Sequence, residues 1–161
     1  MYVLQLNSFI QTSLTIGTAE SLTGGAIAKA ISSVSGSSRY FRGSVVAYAT
    51  DVKCSLLNVS SSTIEQHGVV SCEVAESMAL GCRDLLKVDF AIATTGIAGP
   101  SGGTALTPVG TVCFSVAGPN CCKSWIEHIE GDRSEVVEAS VEKGVQYLKE
   151  SLKSFAASVG R

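Results

Sequence analysis

The sequence is poor in the residues that build metal sites and histidine-driven catalysis. Its 161 residues include two histidines, three prolines and one tryptophan. The six cysteines, Cys54, Cys72, Cys82, Cys113, Cys121 and Cys122, contain no C-x-x-C pair. With only His67 and His128 to add, no zinc spacing results, so no metal is expected. No secretory signal accompanies the cysteines: "MYVLQLNSFIQTS" has no basic n-region and no small-residue cleavage site. They are read as reduced, mostly buried thiols of a cytoplasmic protein. No basic cluster occurs and the net charge is −2, which argues against nucleic acid and anionic membrane surfaces as partners. No apolar run approaches the ~20 residues of a spanning helix.

What is present fits one globular domain over residues 1–161. Hydrophobic residues make up 45% of the chain, enough for a core without staples. Helical and strand-like patterns alternate. The first 13 residues read as a helix. "LTIGTA" (14–19) reads as a strand and "SLTGGAIAKAIS" as a helix with Leu22, Ala26, Ile27, Ala30 and Ile31 on one face. After a Ser/Gly loop (33–43), "SVVAYA" (44–49) is a strand, and Thr50 caps a helix running through Lys53. "SSSTIEQHG" is a short capped turn of helix. Ser71 caps a longer helix with Val74, Ala75, Met78, Ala79, Cys82, Leu85 and Leu86 inward. "VDFAIATT" (88–95) has the continuous apolar character of a central strand. A glycine-rich loop (96–110), two strands in a hairpin (110–118 and 123–131) and a helix capped by Asp132 complete the pattern. This order predicts an α/β class, a three-layer α/β/α sandwich with a mixed, mostly parallel sheet.

Three unusual segments fall at the C-terminal ends of predicted strands, where such sheets bind ligands: "TAES", "YATDVK" and "TTGIAGPSGG". Ser21 has two readings, a helix cap or a nucleophile that needs an adjacent base. Neither histidine is well placed, so a Ser-His-Asp triad has little support; a Ser-Lys pair with Lys53 stands open. Lys53 falls near a predicted helix start, where the dipole favours the neutral amine a general base requires. The alternative is a solvated surface lysine. Gly24 and Gly25, placed in the first helical turns, imply close approach of a ligand or of backbone. The 96–103 loop offers backbone N–H groups for an oxyanion or phosphate, though it is neither a P-loop nor a dinucleotide fingerprint. Arg133 at the last helix start could face an anionic group, or be a surface arginine.

Together these segments carry a resemblance. "TAESLTGG", "GSSRYFRGSVVAYATDVK", "HGVVS", "TTGIAGPSGG", "PVGTV" and "GDR", in this order from Ile16 to Leu148, are similar to the CinA C-terminal domain family, also called nicotinamide-nucleotide amidohydrolases. The resemblance implies the CinA-like fold and a deamidation of nicotinamide mononucleotide (NMN) to nicotinate mononucleotide and ammonia, without metal or other cofactor. It implies Ser21 as nucleophile and Lys53 as base, both catalytic. Glu20, Thr23, Gly24, Ser37, Ser38, Tyr48, Thr95, Gly96, Gly99, Gly102 and Arg133 are the expected substrate-binding positions, with Ser37-Ser38 or Arg133 at the 5′-phosphate and Glu20 orienting Lys53 or touching the ribose. It further implies a stand-alone amidohydrolase domain and a homo-oligomer, a dimer or higher. The chain departs from the family pattern at Leu22, Thr50, Asp51, Ser101 and Thr107. Two other readings are a nucleotide-binding module without turnover and a DNA-uptake accessory; the acidic charge counts against the second.

Overall fold

The computed structural model describes residues 13–159. The expected N-terminal helix falls almost entirely outside them. The described elements run β1 (Ile16–Glu20), α1 (Ala26–Ser32), a 3-10 turn (Ser37–Arg39), β2 (Phe41–Val46), α2 (Thr50–Leu57), α3 (Ser61–His67), α4 (Cys72–Leu86), β3 (Phe90–Gly96), β4 (Thr111–Gly118), β5 (Cys121–His128) and α5 (Arg133–Val159).

The five strands form one sheet in the order β2-β1-β3-β4-β5. β1 is parallel to both β2 and β3, while β4 is antiparallel to β3 and to β5. Only β4 therefore opposes the common direction, and the sheet is mixed with mostly parallel strands, as the element order predicts. Period-2 alternation splits the core into two layers. Ile16, Phe90, Ile92, Phe114 and Val116 pack under α1 and α5, together with Ile27, Ile31, Val136, Leu148 and Leu152. Ala19, Ala91, Ala93 and Ala117 pack on the opposite face against Leu57, Val74, Met78 and Cys82 of α2 and α4. The small side chains on that face let α4 lie close to the sheet.

The register decides where a site can form. Glu20 is opposite Val46 and Thr94, so the C-terminal ends of β1, β2 and β3 share one edge. Gly96 is opposite Val112, which brings the glycine-rich 97–110 loop to the same edge. The β4–β5 turn, Pro119–Asn120, lies at the other end.

Several boundaries differ from the sequence reading. α1 starts at Ala26, not near Ser21, because Gly24 and Gly25 take φ of +57° and +100°, outside the helical region. β2 begins at Phe41 and ends at Val46, three residues earlier at each end than expected. α2 is capped by Ala49 rather than Thr50, so Lys53 is its fourth residue. β5 begins at Cys121, because Asn120 adopts φ +60° and closes a two-residue turn. Leu85 of α4 points to solvent at 49% exposure and is not part of the apolar stripe. Ser71 does cap α4, its Oγ accepting from the Val74 N–H at 3.2 Å. Asp132 caps α5, accepting from the N–H groups of Ser134 and Glu135.

Candidate active site

Ser21 follows the last residue of β1 and Lys53 sits in the second turn of α2. Parallel pairing of β1 with β2, followed by the short 47–49 connection, folds α2 back over the end of β1. Lys53 Nζ then lies 3.0 Å from Ser21 Oγ. The two other neighbours of the amine are the carbonyl oxygens of Ala47, at 2.8 Å, and Tyr48, at 3.1 Å. Lys53 is 1% exposed and Ser21 8%. Lys53 is thus no solvated surface lysine.

These contacts bear on protonation. Carbonyl oxygens only accept, so the amine must donate to Ala47 and Tyr48. A neutral amine has two N–H bonds for those two acceptors, and its lone pair then faces the Ser21 hydroxyl. Burial pushes the Lys53 pKa down from the ordinary lysine value, against a smaller opposing effect of Cys54. The pair can therefore act as base and nucleophile.

A cavity of about 260 Å³ opens in front of the pair. Tyr48, Thr95, Gly96, Gly99, Gly102 and Arg133, all expected at the site, line it with Ser21 and Lys53. Thr95 is 1% exposed and its hydroxyl donates to the Val69 carbonyl at 2.9 Å, which ties the 68–70 connection to β3. Arg133 spans the cavity rim: Nη1 donates to the Gly99 carbonyl at 2.8 Å and Nη2 to the Tyr48 hydroxyl at 2.7 Å. Gly96 admits no side chain, since a Cβ there would come within 2.8 Å of the Thr111 carbonyl oxygen.

Five expected positions are not brought to the cavity. Glu20 is fully buried on the α1 side of the sheet. Its carboxylate accepts from the N–H groups of Gly25, Ile27 and Ala28 and from the hydroxyls of Thr18 and Thr23. It neither orients Lys53 nor has an oxygen left for a ribose. Thr23 is turned the same way, 2.7 Å from Glu20 and 2.9 Å from Thr94 Oγ1. Gly24 serves the turn through its positive φ and does not line the cavity. Ser37 and Ser38 precede β2 at Phe41, opposite Ile16, which puts them at the far end of the sheet. Within this chain they cannot meet a ligand bound at Ser21.

Other lining residues were not singled out as binding positions. Val69 and Val70 supply an apolar wall with Leu22, Ile97 and Ala98. Their signal was the "HGVVS" segment, whose Gly68 turns the chain at φ +82° after α3. Thr50 and Ser101 also line the cavity, so two of the five departures from the family pattern, and Leu22 as a third, face the ligand space.

Among the described residues no group of acidic, histidine or cysteine side chains could hold a metal, and no helix is long and apolar enough to cross a membrane. His67 lies beside Glu73 at 3.5 Å, and His128 is exposed. All six cysteines are free, but only Cys82 and Cys113 are buried and Cys121 is exposed, fewer inside than expected. Burial pushes the Cys82 and Cys113 thiols up to about 12, which keeps them protonated and unreactive.

Comparison with known proteins gives one answer. The family model of the CinA C-terminal domain matches residues 3–152. A CinA-like protein of Geotalea uraniireducens is 43% identical over 150 residues, covering 93% of this chain and 36% of that protein. A CinA-like protein of Flavobacterium psychrophilum is 45% identical over 89% of this chain and 34% of its own length. The chain thus spans about a third of the length of these curated relatives. Among solved structures, the competence/damage inducible protein CihA from Agrobacterium tumefaciens superposes with a TM-score of 0.89 at 34% identity, covering 92% of each chain. The competence damage-inducible protein A from Klebsiella pneumoniae gives a TM-score of 0.90 at 30% identity over 94% of each chain.

Proposed function

This chain belongs to the CinA C-terminal domain family, and from that premise we propose that it is an amidohydrolase that deamidates nicotinamide mononucleotide through Ser21 and Lys53. The observation that carries the reading is the buried 3.0 Å contact between Lys53 Nζ and Ser21 Oγ, with the remaining amine hydrogens committed to two carbonyls.

In this reading neutral Lys53 takes the Ser21 proton as Oγ bonds to the carboxamide carbon. The donors available to the oxyanion are the amide of Leu22 and those of the 96–103 loop other than Pro100, which has no N–H, and Ile97, whose N–H is taken by the Thr111 carbonyl. The tetrahedral adduct collapses as Lys53 passes the proton to the leaving nitrogen, the C–N bond breaks and ammonia departs. A water then attacks the Ser21 ester. Lys53 takes its proton and returns one to Ser21 Oγ as the acyl bond breaks, releasing nicotinate mononucleotide. The apolar wall of Leu22, Val69, Val70 and Ile97 suits a pyridine ring. Arg133, with N–H bonds to spare beyond Gly99 and Tyr48, is the cation placed to meet the 5′-phosphate.

Ammonia release from NMN, measured beside free nicotinamide with wild type and Ser21→Ala, tests this. Turnover of NMN that vanishes in folded Ser21→Ala is expected. Wild-type turnover in Ser21→Ala, or no turnover in wild type, overturns the reading.

A further inference from the structure

Helix α1 is not capped by the residue in front of it. Gly25 occupies the cap position with φ +100° and no side chain. The orphan N–H groups of a helix start need acceptors, and here they are supplied from five to eight residues back. Glu20 Oε2 accepts from Gly25 N–H and Ile27 N–H, each at 3.0 Å, and Oε1 accepts from Ala28 N–H at 2.8 Å. The Thr23 and Thr18 hydroxyls add 2.7 Å and 3.1 Å bonds. Four of these donors fill the roughly four acceptor sites of a carboxylate; the Thr18 hydroxyl has one hydrogen and shares it with Ser44 Oγ at 2.7 Å. Three backbone N–H groups at the α1 start point at the buried carboxylate.

Segment 20–28 therefore closes on itself around one carboxylate, and Ser21 is its second residue. The same segment is tied to its neighbours. The Ser21 N–H donates to the Thr94 carbonyl at 3.0 Å, and the Gly24 N–H to the Ser21 carbonyl at 3.1 Å. Thr23 Oγ1 bridges Glu20 to Thr94 Oγ1. The Glu20 carbonyl accepts from Ala47 N–H at 2.8 Å, and the Ala47 carbonyl is the one that holds Lys53 Nζ. One residue thus governs both ends of the pair: its side chain sets the Ser21 turn, and its peptide oxygen sets the carbonyl under Lys53.

We propose that Glu20 is a positioning residue for Ser21, acting through the closed 20–28 segment to hold Oγ in line with the Lys53 amine. This rests on the nucleophile assignment to Ser21. The role is geometric: a misplacement of about 1 Å at a reacting atom can cost on the order of 10²-fold in rate.

The test uses a fluorophosphonate, which needs no knowledge of the substrate. Ser21 Oγ bonds to phosphorus, fluoride leaves and the serine proton passes to Lys53. Labelling is followed by intact mass, with the site confirmed by its loss in Ser21→Ala. Glu20→Gln keeps the shape but turns an NH2 toward backbone N–H donors. Thr23→Val keeps the carboxylate and removes the hydroxyl that joins it to Thr94, so it decides the matter if Glu20→Gln does not fold. The expected result is labelling slowed by about 10²-fold in Glu20→Gln, and by a smaller factor in Thr23→Val. The pH midpoint of labelling is expected to stay at the wild-type value, because the burial of Lys53 and its bonds to the Ala47 and Tyr48 carbonyls are retained. Wild-type labelling rates in the folded variants overturn the proposal. So does a shifted midpoint with an unchanged limiting rate, which would make Glu20 an electrostatic rather than a geometric group. A wild-type protein that is neither labelled nor active overturns the nucleophile assignment beneath it, and so is told apart from a failure at Glu20 alone.

Discussion

Gly81 of α4 packs directly on the Leu57 peptide at the end of α2: a Cβ built on Gly81 would overlap the Leu57 carbonyl oxygen and lie 2.7 Å from its carbon. The obstacle is backbone and cannot rotate away. In an exposed helix Gly81→Ala would stabilise by ~1 kcal/mol. Here the sign reverses, and a loss of about 1–3 kcal/mol is expected from overpacking. Because α2 carries Lys53, activity should fall with stability. Thermal unfolding and kcat measured on the same preparation check both.

Replacing Lys53 separates folding from chemistry. Lys53→Met keeps the length and apolar stem of the side chain and removes a buried amine. The Ala47 and Tyr48 carbonyls lose a donor, at roughly 1–3 kcal/mol if left unsatisfied, while the desolvation of the amine is no longer needed. A folded protein near wild-type stability is expected. Turnover should drop on the order of 10³-fold or more, since base and nucleophile act as one unit. Circular dichroism and single-turnover kinetics read the two effects separately.

The lowered Lys53 pKa sets two pH dependences. The proposed mechanism requires the neutral amine, so kcat/KM should rise with pH through a midpoint below the ordinary lysine value. Stability follows from linkage. With a depressed pKa the folded state binds fewer protons than the unfolded state between the two values, so stability increases with pH across that window. The burial penalty is fully present below the folded pKa and vanishes above the unfolded one. Lys53→Met should flatten this slope, which denaturant titrations across alkaline pH would show.

At the other side of the sheet, the Tyr147 hydroxyl donates to Glu127, with Lys143 at 3.1 Å from the same carboxylate and Trp125 stacked on the Tyr147 ring at 4.2 Å. The Tyr147 bond, then Lys143, holds the Glu127 pKa below its ordinary value. A depressed carboxylate contributes stability above its unfolded pKa and loses it as pH falls through the folded one. Tyr147→Phe keeps the ring stack and removes the hydroxyl. It should be less stable than wild type at neutral pH, and the difference should shrink on acidification. Melting temperatures across acid pH check this.

Arg133→Ala is expected to raise KM for NMN by roughly tenfold or more, the worth of a charged hydrogen bond, and to leave any turnover of free nicotinamide unchanged. An equal loss on both substrates would place Arg133 at the reaction centre instead of the phosphate.

The layer order, the hairpin and the caps at Ser71 and Asp132 were legible in the sequence because each depends on residues close together in the chain. Strand ends were read less well. β2 reaches only to Val46, because what ends a strand is its partner's length and not its own propensity. Ser21 and Lys53 could be named as candidates, but taken singly the local pattern favours a helix cap for Ser21 and a surface residue for Lys53. Motif membership places Glu20, Thr23, Ser37 and Ser38 with the site, and the cost of a glycine in a helical turn adds Gly24. Strand alternation turns Glu20 to the opposite face of the sheet from Lys53, and register sends Ser37 and Ser38 to its far end.

By itself the sequence determined the α/β class, the mixed sheet, and the clustering of three unusual segments at one sheet edge. Periodicity and chain order suffice for these. Only the tertiary structure decided that the Lys53 amine is buried against Ser21 with two carbonyls taking its hydrogens. It also decided that the carboxylate beside Ser21 caps a helix instead of meeting a ligand. Desolvation and hydrogen-bond partnership depend on groups up to tens of residues away, and no local pattern encodes which of them arrive.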